Sequence, residues 1–126
     1  MGLTKLKRKD GVKVAAKYHW TTGPISSSLG LDHIMVDVLN NTSTTRSVRI
    51  NVYDLSAGHP ILMYTKNVLI KAFSSINKKI EASESAIWEV RIIAGSKRIL
   101  AWVGGQDEGI MNLDGNVVLS SEFKLI

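Results

Sequence analysis

The chain contains no cysteine, which excludes disulfides, thiolate-bound zinc, iron–sulfur clusters and cysteine nucleophiles. Proline is scarce, with two in 126 residues, and aromatic side chains make up only 6%. So few prolines among many β-branched residues leave strand edges with little protection against pairing with another chain. The longest apolar stretches are a few residues, too short for a membrane-spanning helix. The basic start runs into Asp10 and Lys13 without an apolar segment of the secretion-signal type. The expectation is a chain made in the cytoplasm, with no membrane span. No fixed repeat and no low-complexity tract is visible. Apolar residues nonetheless supply 44% of the 126 residues, enough for one core, and the length allows one domain.

The net charge of +5 invites a nucleic-acid reading until its position is considered. Residues 1–20 hold Lys5, Lys7, Arg8, Lys9, Lys13 and Lys17 against Asp10. Those six cations and one anion already account for the whole net charge. The remaining 106 residues carry ten cations and ten anions. The domain organisation expected is therefore a basic arm, residues 1–11, ahead of a single neutral domain, residues 12–126.

Hydrophobic periodicity within that domain is 2, the period of strands. Val12, Val14, Ala16, Tyr18 and Trp20 share one parity; so do Ile34, Val36 and Val38, opposite Asp37. Val48, Ile50 and Val52 alternate with Arg49, Asn51 and Tyr53, and Trp88, Val90 and Ile92 alternate with Glu89, Arg91 and Ile93. The polar link 40–46 predicts a hairpin loop, and 94–97 predicts a second hairpin into a strand over 98–103. Gly58 and Pro60 mark a turn. Residues 61–73 suit a strand, with a bulged pair of strands or a helix as alternatives, and 79–82 suits a weak strand. Asp114-Gly115-Asn116 has the composition of a tight turn, and Val117, Leu119, Phe123 and Leu125 share one parity of a last strand. About seven to eight short strands with regular turns predict an all-β fold, an antiparallel β-sandwich of immunoglobulin-like or jelly-roll-like kind. Trp20 and Trp88 fall in register with the inward positions, and core filling is the first role expected of tryptophans on strands.

No catalytic signature emerges. Gly95-Ser96 lacks the second glycine and the following helix of a nucleophile elbow. His19, His33 and His59 are too widely spaced for a local metal motif. Asp107, Glu108 and Asp114 do not follow the alternating ligand pattern of a helix-loop-helix calcium site. Glu84, Glu89, Asp107 and Glu122 fix no carboxylate pair of the separation that glycoside hydrolysis needs. Gly104-Gly105 has no helix terminus after it to hold a phosphate. Asn40 and Asn41 each begin a glycosylation pattern, but without a secretion signal they read as loop residues. No catalytic, metal-binding or cofactor-binding residue is assigned, and the expectation is a protein that is not an enzyme.

Four segments carry a resemblance: VDVLNNTSTTRSVRINVYDL at 36–55, AIWEVRI at 86–92, ILAWVGGQD at 99–107 and GNVVLSSEF at 115–123. The region 33–125 resembles small single-domain β-sandwich proteins encoded by spore-forming bacilli. The resemblance implies a protein of a spore surface, another extracellular layer or a phage-borne relative, and it implies no catalysis. Spore-coat proteins are made in the mother cell, which reconciles a surface role with the missing signal. The basic arm lies outside the match.

These readings rank three functions. The first is a structural protein that associates with copies of itself, or with other surface-layer proteins, in a coat, layer or filament. Its expected mechanism is strand addition: Leu3, Lys5, Lys7, Arg8 and Lys9 lead Val12, Val14, Tyr18 and Trp20 onto a neighbour's open edge. The second is a carbohydrate or cell-wall polymer module that stacks sugar rings on Tyr53, Tyr64 or Trp102. The third is contact with nucleic acid or another polyanion through Lys5, Lys7, Arg8 and Lys9. No cofactor is expected in any of them.

Overall fold

A computed structural model describes residues 5–7 and 13–126, with side chains from Val14 onward. In chain order the described strands are β1 (Lys5–Lys7), β2 (Lys13–Ala15), β3 (Tyr18–Thr21), β4 (Ile25–Ser26), β5 (His33–Asn40) and β6 (Arg46–Asp54). They continue with β7 (Ile61–Ile70), β8 (Ser75–Glu81), β9 (Ile87–Ala94), β10 (Ile99–Gln106), β11 (Asn112–Val118) and β12 (Lys124–Leu125). One turn of 3-10 helix covers Ser120–Glu122, and there is no α-helix among the described residues. The fold is all-β, as the period of 2 predicts.

Two antiparallel sheets hold most of the strands. The smaller has the order β11-β10-β5-β8; the larger runs β12-β3-β9-β6-β7, with β4 pairing β9 as well. β1 pairs β2 in a separate two-stranded ribbon. The alternation that predicts each strand also supplies the core. Ile34, Val36, Val38 and Val103 of one sheet join Val48, Ile50, Val52, Val90 and Ile92 of the other in a single buried cluster around Trp88. Each such side chain taken fully from water contributes about 1.5–3 kcal/mol before its entropy cost.

Several local expectations are corrected. The links 40–46 and 94–97 are not hairpins, because β5 and β10 belong to the smaller sheet while β6 and β9 belong to the larger. A polar loop looks alike whether it returns beside its own strand or crosses to another sheet; only the partner decides. Asp114-Gly115-Asn116 lies inside β11, opposite a register shift between Gly104 and Gln106. Gly115 there has φ 73°, so the glycine serves a bulge rather than a turn. The strand expected over Val12–Trp20 breaks into β2 and β3, and the last strand gives way after Val118 to the 3-10 turn and β12. β7 is one strand, at an edge, with Ile61, Leu62 and Leu69 exposed. The weak strand at 79–82 is the end of the seven-residue β8.

The outer face of the larger sheet is partly covered. Val14 and Ile93 are buried, yet neither belongs to the main core. β2 lies beside β6 and β9, close enough that a Cβ on Gly95 would come within 2.8 Å of the Ala15 Cβ. Glu89, Asn51 and Asn67 are buried on that face too. Glu89 accepts from the Thr21 hydroxyl and from Arg91 Nε at 3.0 Å. Arg91 in turn sits 4.9 Å from the Tyr53 ring centroid. Asn51 accepts from the Thr65 hydroxyl at 2.6 Å and Asn67 accepts from Arg49 Nε at 2.9 Å, so the burial of these polar groups is tolerated because each has a hydrogen-bond partner.

Candidate functional site

Antiparallel strands that alternate in direction bring every second loop to the same end of the molecule. His33 pairs with both Glu81 and Gln106, and Asp54 pairs with Ile61 and Trp88. The segment 82–86 leads directly from β8 to β9, so these positions of both sheets share one end. At the other end Leu39 pairs with Ser75, Asn40 with Ile99, Arg46 with Ile70, and Tyr18 and Val48 with Ala94.

The charges segregate between these ends. Asp32, Asp54, Glu81, Glu84, Asp107, Glu108 and Asp114 all lie at the first end. Three open clefts there share Ser83 as a wall, which makes them one trough lined by Asp32, Asp54, Glu81, Glu84, Asp107 and Glu108, with Lys79 the one cation in its lining. Among the described residues Glu81, Glu84, Asp107 and Glu108 form no ion pair. Lys17, Arg46, Lys71, Lys97 and Arg98 lie at the second end, with Glu122 the acidic exception. Of these cations Lys17, Lys71, Lys97 and Arg98 are exposed. Lys17 Nζ and Lys97 Nζ stand 5.3 and 5.7 Å from the Tyr18 ring centroid, and Tyr18 stacks on Trp20.

Local turn chemistry explains why carboxylates occupy these loops. Asp54 Oδ1 accepts from the Ser56 N–H at 3.0 Å, the Ser56 hydroxyl at 2.6 Å and the Ser85 hydroxyl at 3.1 Å. Glu81 Oε1 accepts from the Ser83 N–H at 2.7 Å and from the Ser83 hydroxyl, and Asp107 Oδ1 accepts from the Met111 N–H at 3.0 Å. Side-chain oxygens that satisfy backbone donors two to four residues on hold tight turns. The Ser56 hydroxyl, then its N–H, pull the Asp54 carboxyl below its ordinary range, and Ser83 does the same for Glu81.

That depression has a sign. A carboxyl whose folded pKa is lowered stabilises the fold fully above its unfolded value, and the contribution disappears as pH falls through the folded value. Stability is expected to drop as pH falls below about 4, the ordinary carboxyl range. Asp54→Asn should be less stable than the parent at neutral pH and flatter across that acid window. Urea unfolding at a series of acidic pH values reads both; parallel curves for the two proteins would refute the assignment.

Behind the trough, His33 is 1% exposed. Its Nδ1 lies 2.9 Å from Asp32 Oδ2 and its Nε2 2.8 Å from Gln106 Oε1, while Gln106 Nε2 donates to Asn112 Oδ1 at 2.8 Å. With both ring nitrogens engaged, the imidazole is a strut that ties β5 to β10 and β11. His19 Nε2 lies 3.1 Å from the Ala16 carbonyl, and His59 sits in the exposed β6–β7 turn. Among the described residues no group of three or more His, Cys, Asp or Glu side chains is placed to hold a metal ion.

Of the arm residues, Leu3, Arg8, Lys9 and Val12 lie outside the described residues, and Lys5 and Lys7 are described in backbone only. Val14 is fully buried within its own chain, and Tyr18 and Trp20 lie in β3, which pairs with β9 of the same chain. The three aromatic candidates do not form one platform. Tyr53 is on the outer face of the larger sheet beneath Arg91, and Tyr64 packs against the core from β7. Trp102 is on the outer face of the smaller sheet, beside Leu39, Leu100 and Asp37.

The polarity between the ends is the feature that strand-by-strand reading missed, and its signal was present. Taken in order, the loops and their flanking residues carry Asp32, Arg46, Asp54, Lys71, Glu81 with Glu84, Lys97 with Arg98, and Asp107 with Glu108. The sign alternates through these loops and breaks only at Glu122 after β11, and alternate loops of an antiparallel fold share an end. No family model, no curated protein and no solved structure matches this chain.

Proposed function

We propose that this protein is a non-enzymatic subunit that associates with copies of itself, the acidic end of one β-sandwich meeting the basic end of the next. The sandwich is taken to be of immunoglobulin-like or jelly-roll-like kind. The observation that carries the reading is the charge polarity: six carboxylates against one cation, Lys79, line the trough at one end, while exposed Lys17, Lys71, Lys97 and Arg98 occupy the other. β2, which follows the basic arm in sequence, reaches that second end, where Ala15 lies over Gly95. A contact between unlike ends is heterologous, so it propagates into a ring or filament. On the resemblance to proteins of spore-forming bacilli, the assembly is a surface layer, spore coat or filament.

In this reading the N-terminal segment contributes charge. The apolar residues Val14, Tyr18 and Trp20 are already engaged inside their own chain, and strand addition through them requires an exchange of β2 and β3 between subunits.

Opposite charges across an interface are screened by salt, over a length of about 10 Å at 0.1 M and about 3 Å at 1 M. Light scattering should therefore give a mass above the monomer at low ionic strength that falls toward the monomer at high. Reversing Lys97 and Arg98 to Glu should weaken association about tenfold. A partner with Glu81 and Glu84 reversed to Lys should restore it when the two variants are mixed. A monomer at low salt over the accessible concentration range would overturn the proposal. Association that persists unchanged at high salt would overturn the electrostatic mechanism.

A further inference from the structure

The outer face of the smaller sheet carries a second feature, independent of the polar ends. Register places Asn77, Asp37 and Trp102 side by side on three neighbouring strands, β8, β5 and β10. The next row on the same face is Ser75, Leu39 and Leu100. Asp37 and Trp102 of the first row, the whole second row and Ser120 bound an open groove of about 250 Å³, with Asn77 beside Asp37 outside its lining.

Trp102 does not stand upright in that groove. A Cβ built on Gly104 would lie 2.4 Å from Trp102 Cη2 and 3.0 Å from Cζ2 and Cζ3. Residues two apart on a strand are separated by about 6.5–7 Å, the reach of an indole, so the ring reclines along β10 over the bare glycine backbone. The glycine makes room, and the reclined ring offers its outer surface to solvent. Leu39 and Leu100 are 36% and 40% exposed beside it.

Polar groups flank the ring without partners. Among the described residues neither the Asp37 carboxylate nor the Asn77 amide makes a side-chain hydrogen bond or an ion pair. Burial against the groove pushes the Asp37 carboxyl up from its ordinary range, a cost that donors from a ligand would relieve.

We propose that the row Asn77, Asp37, Trp102 is a binding site for an N-acetylhexosamine unit of a neutral glycan. The C–H face of the pyranose lies on the reclined indole, where apolar and dispersion contacts hold it. Its hydroxyl groups donate to the Asp37 carboxylate and exchange hydrogen bonds with the Asn77 amide. The acetamido methyl group lies on Leu39 and Leu100, an apolar pair that a plain hexose would leave uncovered.

The test is titration of the ¹⁵N-labelled full chain with chitotetraose, and separately with cellotetraose, which has the same linkage without the acetamido group. Indole N–H signals of Trp20, Trp88 and Trp102 are followed in each case. Chitotetraose should shift the Trp102 signal saturably and leave Trp88 unmoved, with cellotetraose binding about tenfold more weakly. Asp37→Asn should lower chitotetraose affinity about tenfold, and Trp102→Ala should abolish the chitotetraose shifts of the β5 and β10 backbone amides while the Trp20 and Trp88 indole signals report an intact fold. No Trp102 shift with either sugar overturns the proposal, and equal affinity for both overturns the acetamido assignment. A Trp102 signal that moves on dilution without sugar gives the face to a second copy of the chain and overturns it also. None of these outcomes depends on the salt-sensitive association of the ends.

Discussion

Trp88→Ala should destabilise the protein by about 3–5 kcal/mol, the usual cost of emptying a large aromatic site in a packed core. Trp88 is 0% exposed at the centre of the buried cluster, on β9 between Ile25 of β4 and Asp54 of β6. Its Nε1 is the one buried side-chain polar atom without a hydrogen-bond partner among the described residues. An unsatisfied buried donor carries a desolvation cost of about 1–3 kcal/mol. Trp88→Phe should therefore cost much less than its lost volume alone implies, because it removes that donor together with part of the ring. Urea unfolding followed by the fluorescence of Trp20 and Trp102 separates the two variants. A loss for Phe as large as its missing volume implies would show that the indole N–H is satisfied in solution.

Asn40→Ala is expected to cost about 2–4 kcal/mol, because it leaves several buried groups unpaired at once. Asn40 is 0% exposed. Its Nδ2 donates to the carbonyls of Thr44 at 2.8 Å, Ile70 at 2.8 Å and Lys71 at 3.2 Å. Its Oδ1 accepts from the Thr42 N–H at 3.1 Å and the Thr42 hydroxyl at 2.6 Å. The side chain thus ties the last residue of β5, in one sheet, to the end of β7, in the other. Asn40→Asp retains the acceptor and loses the donor, setting a carboxylate against carbonyl oxygens, so it should not rescue the alanine variant at neutral pH. Thermal unfolding followed by circular dichroism reads the series. A stable Asn40→Asp variant would mean that the three carbonyls find other donors.

Both predictions fall on residues whose position the sequence reveals and whose role it does not. Parity alone puts Trp88 inward with Val90 and Ile92, and the same rule puts Ile34, Val36 and Val38 inward, as they are. Alternation is legible because successive side chains of a strand point to opposite faces whatever the strand pairs with. Asn40 follows the same parity and is as buried as Val38. Two of the carbonyls it holds, those of Ile70 and Lys71, lie about thirty residues away, which no local pattern contains. Glu89 and Ile93 fall on the outward parity and are nevertheless buried, since burial there depends on what lies over the sheet.

The same division holds for the candidate sites. The sequence by itself determined the strand class, the inward residues and the alternating signs of successive loops, all of which depend on a period of 2 or on order along the chain. Tertiary structure alone decided that 40–46 and 94–97 cross between sheets, that Tyr64 faces the core and Trp102 the solvent, and that Asn77, Asp37 and Trp102 share a row. These are matters of which strands become neighbours. Strand pairing is set by the free energy of closing one core over residues far apart in the chain, and a local pattern does not carry that sum.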